Sequence, residues 1–241
     1  MTSYNKTKFN NNLEEKLVSL KLDSFIKELA NYGEVIFLGG FVRDVYLDVD
    51  YPVRDIDIVF NKNSTVETRD VLKIFANDID QNRFNGFKFT INDIKIDLWQ
   101  LSDTWAYREN KMKYGHDRLV DTTYLKMDSI SYNYNLNEMD AKKFDDVIES
   151  RILDIVLMDN PDKELNLVKN LVQKKKYEKL LDISFEFSKC LKKEYVEITE
   201  YKGIDSLYQR QIDRYDTEHF TAKELEYWID QFKSETIHNF V

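Results

Sequence analysis

The 241-residue sequence predicts an α+β protein, a small mixed β-sheet with helices on it followed by an all-helical C-terminal part. Three observations carry that expectation. Short apolar or alternating runs at 35–38, 55–60, 87–91 and 94–101 have the length and period of strands. Between them lie stretches whose apolar residues recur every three or four positions, as on one face of a helix. From Asp140 onward only the helical period remains.

Residues 12–31 predict one amphipathic helix through Leu13, Leu17, Leu20, Phe25, Ile26 and Leu29, ended by Tyr32-Gly33. Val35–Leu38 predicts a buried strand that Gly39-Gly40 stops, and Val42, Val45 and Leu47 a short helix closed by the Asp48–Pro52 turn. From Asp55 to Phe60 the chain alternates, with Ile56, Ile58 and Phe60 on one face and Asp55, Asp57 and Val59 on the other. Ser64–Glu67 has the form of a capping box, with a helix running on to Ile79. Phe87–Ile91 and Ile94–Leu101 predict a hairpin turned at Asn92-Asp93. In the C-terminal part, helices are expected over Phe144–Leu157 (broken by Asn160-Pro161), Leu165–Tyr177, Leu180–Lys193, Asp205–Tyr215 and Thr221–Lys233. The expected division is a sheet-bearing unit over 1–139, including the N-terminal helix, and a helical unit over 140–241.

Hydrophobic residues make up 42%, enough for a core, and 33% charged residues imply a solvated surface. Asp and Glu number 44 against 35 Lys and Arg, a net charge of −9 that disfavours broad nonspecific nucleic-acid binding. The single cysteine, Cys190, excludes an internal disulfide and lies in a helical pattern with no evident base to activate it. The N-terminal stretch is polar, unlike a secretory signal, and no apolar run approaches the ~20 residues that span a bilayer. A soluble cytoplasmic protein without a membrane partner is the expectation.

With only six glycines in the chain, the Gly39-Gly40 pair between a strand and a helix requires a reason. Glycine there lets a phosphate approach the backbone closely, although a plain tight turn also explains it. Asp55 and Asp57 lie two residues apart on one strand face, where unpaired carboxylates repel. Either a divalent cation such as magnesium answers them, or the face is wet and Arg54 or Arg43 neutralises it. Asp97 shares a strand face with Lys95 and Trp99. Should that strand pair beside the Asp55 strand, three carboxylates gather, a set that can hold two metal ions.

Gly39-Gly40-Phe41-Val42-Arg43-Asp44, followed by Arg54-Asp55-Ile56-Asp57-Ile58-Val59, resembles the signature of the class II polymerase-β-like nucleotidyltransferases. These are the CCA-adding tRNA nucleotidyltransferases and the bacterial poly(A) polymerases. The resemblance spans roughly residues 30–180 and is strongest over 36–60. It implies a nucleotidyltransferase head and helical neck, and transfer of a nucleoside monophosphate from an NTP to an acceptor hydroxyl, foremost an RNA 3′ end. By the same resemblance Asp55, Asp57 and Asp97 are the catalytic carboxylates and the ligands of two Mg2+ ions, Gly39 and Gly40 hold the triphosphate, and Arg43 and Asp44 organise the nucleotide pocket. The stretch Thr122–Tyr132 matches the tail of the family's next motif at Asp128-Ser129-Ile130 and Tyr132, without its Arg-Arg-Asp. The family's Glu-Asp-x-x-Arg selectivity motif has no counterpart, so a divergent and shortened relative is expected. A protein or small-molecule acceptor, or a silent nucleotide-binding module, are the alternatives.

Lys174, Lys175 and Lys176, near Lys169 and Lys179, form the most basic patch and are candidate RNA contacts, although such runs are commonly solvated helix faces. Trp99 and Trp105 suit stacking on a base or packing behind the sheet. His116, His219 and His238 are too scattered for a metal site, and His116 is expected in a polar loop.

Overall fold

The computed structural model describes residues 6–159, 162–177 and 182–227. The chain divides into two compact units, one of 1–123 with 127–145 and one of 124–126 with 146–241. Among the described residues no helix is long and apolar enough to cross a membrane.

The first unit is built on a seven-stranded mixed sheet. Its strands are β1 (Gly33–Leu38), β2 (Asp55–Lys62), β3 (Ile79–Gln81), β4 (Phe87–Ile91), β5 (Ile94–Gln100), β6 (Ser131–Asn133) and β7 (Glu138–Asp140), in the order β3-β4-β5-β2-β1-β6-β7. Only β2 and β5 run parallel; every other pairing is antiparallel. Helices α1 (Lys6–Ser19), α2 (Asp23–Ala30) and α3 (Gly40–Tyr46) precede or interrupt the first strands, and α4 (Thr68–Leu72) and α5 (Trp105–Arg108) follow β2 and β5.

The alternation of β2 has a physical reason on each face. Ile56, Ile58 and Phe60 are buried in the main core, where Phe25, Phe37, Leu13 and Leu29 are also sealed from solvent. On the other face Val59 lies in a second cluster with Ile36, Leu38, Leu101, Tyr107, Leu119 and Val120, and Trp99 packs against it. That cluster covers β2 only around Val59, leaving Asp57 and Asp55 half-buried toward the start of the strand. An apolar side chain there would have no cover, and a carboxylate can keep water or a cation.

Several local expectations give way to tertiary structure. The helix expected over 12–31 is two helices, because the chain turns at Lys21 (φ 54°), with the Leu22 N–H donating to the Leu17 carbonyl at 2.9 Å. This is the helix-ending bond pattern usually served by glycine, here formed by a lysine, so no glycine signalled it. The helix expected to run on to Ile79 is confined to Thr68–Leu72, starts at Glu67 without a side-chain cap, and Ile79 opens β3 instead. The hairpin turns as expected, with Asn92 (φ 49°) and Asp93 (φ 66°) both left-handed, as a two-residue hairpin turn of this twist requires.

Of the helix expected over Phe144–Leu157, only α6 (Lys142–Ser150) forms, ending where Arg151 turns left-handed (φ 58°). In the second unit Ile152–Leu153 (β8) pairs in parallel with Asp182–Ile183 (β9), so this part is helical with a two-stranded ladder rather than purely helical. Its long helices are α7 (Lys163–Lys176), α8 (Phe185–Lys202) and α9 (Ile204–Tyr215). The expected break at Asn160-Pro161, Lys179 and the end of the last helix, with His238, lie outside the described residues. Cys190 on α8 is buried, and that burial, with the Glu194 charge beside it, pushes its thiol up to about 11.

Two outcomes follow from this packing. A Cβ on Gly33 would lie 2.5 Å from the Asn61 carbonyl oxygen and 2.8 Å from the Lys62 Cα, both backbone atoms that cannot step aside. Gly33→Ala is therefore expected to cost about 2 kcal/mol, read as a lower midpoint in urea denaturation. Cys190, the only thiol, is expected to react with a thiol reagent at pH 7.5 at least ~100-fold more slowly in the native than in the urea-unfolded chain. Equal rates would mean that the thiol is not buried.

Candidate active site

The parallel register of β2 and β5 pairs Asp55 with Lys95, Asp57 with Asp97 and Val59 with Trp99. Residues paired in this way point to the same side of the sheet, so Asp55, Asp57 and Asp97 share one face. Antiparallel pairing extends the same row to Leu38 on β1 and to Lys88 on β4. One line of side chains across the sheet therefore reads Lys88, Asp97, Asp57, Leu38. The strand adjacency required for the three carboxylates to gather is present.

Their cations are present as well. The Arg54 guanidinium donates through Nη2 to both oxygens of Asp55, at 2.9 and 2.7 Å. Lys88 Nζ lies 3.2 Å from Asp97 Oδ1 and 3.4 Å from Oδ2. Asp55 and Asp97 are thus each turned toward a basic side chain. Among the described residues, no group of three or more His, Cys, Asp or Glu side chains is arranged to hold a metal ion by itself. Magnesium does not need one: it is commonly held by one or two carboxylates together with substrate phosphates and water. The donor chemistry of Asp57 and Asp97, two half-buried hard-oxygen groups side by side, fits that mode.

The glycine turn lies against the same carboxylate. Gly39 has φ 74° and ψ −133°, a conformation that side chains strongly disfavour. A Cβ placed on it would stand 4.0 Å from Asp57 Oδ2 and 3.9 Å from the Asp128 carbonyl oxygen. The Gly39 N–H is taken by the Ile130 carbonyl at 2.9 Å. What Gly39 offers a phosphate is therefore its unusual turn and missing side chain, not that amide. Gly40 opens α3 directly over Arg43, whose Nη2 is 3.5 Å from where a Gly40 Cβ would be.

Arg43 is only 4% exposed, and its charge is answered on two sides. Nε donates to Asp44 Oδ1 at 2.8 Å and Nη1 to Asp128 Oδ1 at 2.6 Å. A guanidinium held this way is a brace beneath the glycine turn, tying α3 to the 3-10 turn Lys126–Asp128 that leads into β6. Asp128 entered the sequence reading only as part of the Asp128-Ser129-Ile130 match, with no role of its own. It lies 85 positions from Arg43, and no local pattern joins them. Lys88 was equally passed over, although a two-residue turn at Asn92-Asp93 fixes its register opposite Asp97.

Trp99 donates from its indole N–H to Thr104 Oγ1 at 3.1 Å and packs on the second cluster. Trp105 begins α5, and His116 begins a 3-10 turn, its side chain lying outside the described residues. In the second unit Lys175 is paired with Glu224 at 2.8 Å and the Lys176 ammonium lies 5.3 Å from the Tyr177 ring centroid, while the Lys174 side chain is outside the described residues.

No protein-family model and no curated protein sequence matches the chain. Solved structures do. A CCA-adding enzyme in complex with CTP superposes with a TM-score of 0.66 at 16% identity, over 94% of this chain and 55% of that one. A CCA-adding enzyme with ATP gives 0.63 at 15% identity, over 94% and 54%. The Thermotoga maritima CCA-adding enzyme complexed with tRNA gives 0.60 at 14% identity, over 88% and 50%. The chain spans about half the length of these structures. At such identity the likeness is one of architecture, and in architecture this chain has the fold of the CCA-adding nucleotidyltransferases.

Proposed function

We propose that the protein is a metal-dependent nucleotidyltransferase that moves a nucleoside monophosphate from an NTP to an acceptor hydroxyl, with an RNA 3′ end as the acceptor. The observation that carries this reading is the Asp57–Asp97 pair on adjacent strands, with Asp57 beside the Gly39 turn. A charged pair in that position repels unless a cation joins it, and Gly39 has no side chain to stand beside Asp57, where a Cβ would lie 4.0 Å from Oδ2. The folds with CTP, ATP or tRNA bound in their own structures support a nucleotide and an RNA as the partners.

In this reading Asp55, Asp57 and Asp97 hold one or two magnesium ions. When bound, magnesium would offset the triphosphate charge and lower the pKa of the attacking hydroxyl. The Gly39-Gly40 turn receives the phosphates, and Arg43, locked by Asp44 and Asp128, keeps that turn in place. Asp97 assists in taking the proton from the acceptor hydroxyl. The hydroxyl oxygen bonds the α-phosphorus, the bond from the α-phosphorus to its bridging oxygen breaks, and pyrophosphate leaves with that oxygen. The lysine run at 174–176 is a contact for the RNA backbone in the same reading, with Lys175 exchanging Glu224 for phosphate.

The test uses radiolabelled NTPs, magnesium and total RNA with the full chain. Label on RNA is expected, and Asp57→Asn is expected to lower the rate on the order of 10³-fold, equivalent to about 4 kcal/mol of transition-state stabilisation. Label on protein instead would move the acceptor to the second class. Wild type and an Asp55→Ala/Asp57→Ala variant giving the same signal would end the transferase reading, and nucleotide-dependent thermal stabilisation without turnover would leave a binding module.

A further inference from the structure

The row Lys88, Asp97, Asp57 across β4, β5 and β2 contains one cation and two adjacent carboxylates. Like charges directly opposite one another destabilise a sheet, and the ammonium of Lys88 relieves that repulsion from one end of the row. Nζ sits 3.2 and 3.4 Å from the two oxygens of Asp97, so a single lysine engages both. We propose that Lys88 is the exchangeable counterion of this site: a divalent cation entering between Asp57 and Asp97 displaces it, and Lys88 thereby sets the cation affinity. This rests on the metal-dependent reading above.

The neighbouring pair shows why Lys88 is the partner that leaves. Arg54 holds Asp55 at 2.7 and 2.9 Å, shorter than either Lys88 contact, from a charge-delocalised group that is costly to reorganise. Lys88 is 56% exposed along its side chain, against 27% for Asp97, so the ammonium can swing into water on its flexible stem while the carboxylate stays. The exchange is close to charge-balanced: without the metal, Asp97 carries its own cation and the sheet face tolerates the two carboxylates; with it, the ion takes over both. Lys95, across the ladder from Asp55, adds further positive charge one row away.

The role is one of positioning, exerted through Asp97, and the test reads metal binding rather than turnover. Mn2+ is titrated into the full chain without nucleotide, with free Mn2+ followed by electron paramagnetic resonance. An exposed ion pair contributes up to about 1 kcal/mol, so Lys88→Met is expected to bind Mn2+ about two- to five-fold more tightly than wild type. Lys88→Arg should return affinity to near the wild-type value, and in an Asp97→Asn background Lys88→Met should change nothing further. A melting temperature close to wild type for Lys88→Met checks that the surface substitution leaves the fold intact. Equal Mn2+ affinity for wild type and Lys88→Met, with binding lost in Asp57→Asn, overturns the counterion role alone. A gain that persists undiminished without Asp97 also overturns it. Absence of Mn2+ binding in wild type and Lys88→Met alike overturns this proposal, and the metal-dependent reading falls with it only if the labelling assay above also shows no dependence on magnesium.

Discussion

Pairing β2 in parallel with β5 sets two carboxylates shoulder to shoulder, and most of what distinguishes this molecule answers that contact. The sheet does not need it for stability; opposed like charges weaken a ladder. The two strands are instead held by their other face, where Ile56 and Ile58 of β2 and Ile96 and Leu98 of β5 are all buried. The apolar face supplies the cohesion that lets the polar face carry a strained charge arrangement. The second cluster covers the polar face only as far as Val59 and Leu38, and its boundary determines where water and cations begin to reach the strand.

Around that contact the protein has arranged its own compensation. Arg54 and Lys88 approach from outside the carboxylate row, while Arg43 is buried behind the glycine turn, where its charge must be met by Asp44 and Asp128. These are different kinds of ion pair. The outer two are solvated and worth little to folding. The inner one lies where an unmatched guanidinium would be expensive, so it specifies geometry, tying the segment before β6 to the start of α3.

What could be read from the sequence was whatever is local. The hairpin was legible because Asn and Asp in adjacent left-handed positions leave only one turn geometry. The two-faced β2 was legible because a period of two shows in six residues. The strand neighbour of β2 is not legible in this way, since nothing local joins Asp57 to Asp97 across 40 positions. β6 and β7, with three residues each, have no period to detect and exist through their pairing with β1 and each other. The same holds for β8 and β9. Helix ends leave no sequence signal where a non-glycine residue, Lys21 or Arg151, takes the left-handed conformation. Asp128 stands out in the sequence only through the resemblance over Thr122–Tyr132, and nothing local joins it to Arg43; for Lys88 a local signal exists, since counting back from the turn reaches it.

The placement of β6 beside β1 also governs the order of assembly. β1 ends at Leu38, yet the strand that covers its outer edge does not begin until Ser131. A ribosome adds residues at roughly 5–20 per second, so β1 spends several seconds as a finished strand with one open row of amides and carbonyls. That row is bordered by Ile36 and Leu38, an apolar edge of the kind that recruits foreign strands. During synthesis the vulnerable moment of this chain is therefore a time window rather than a place in the finished molecule. It closes when β6 pairs with β1, the pairing that also brings the Ile130 carbonyl to the Gly39 N–H.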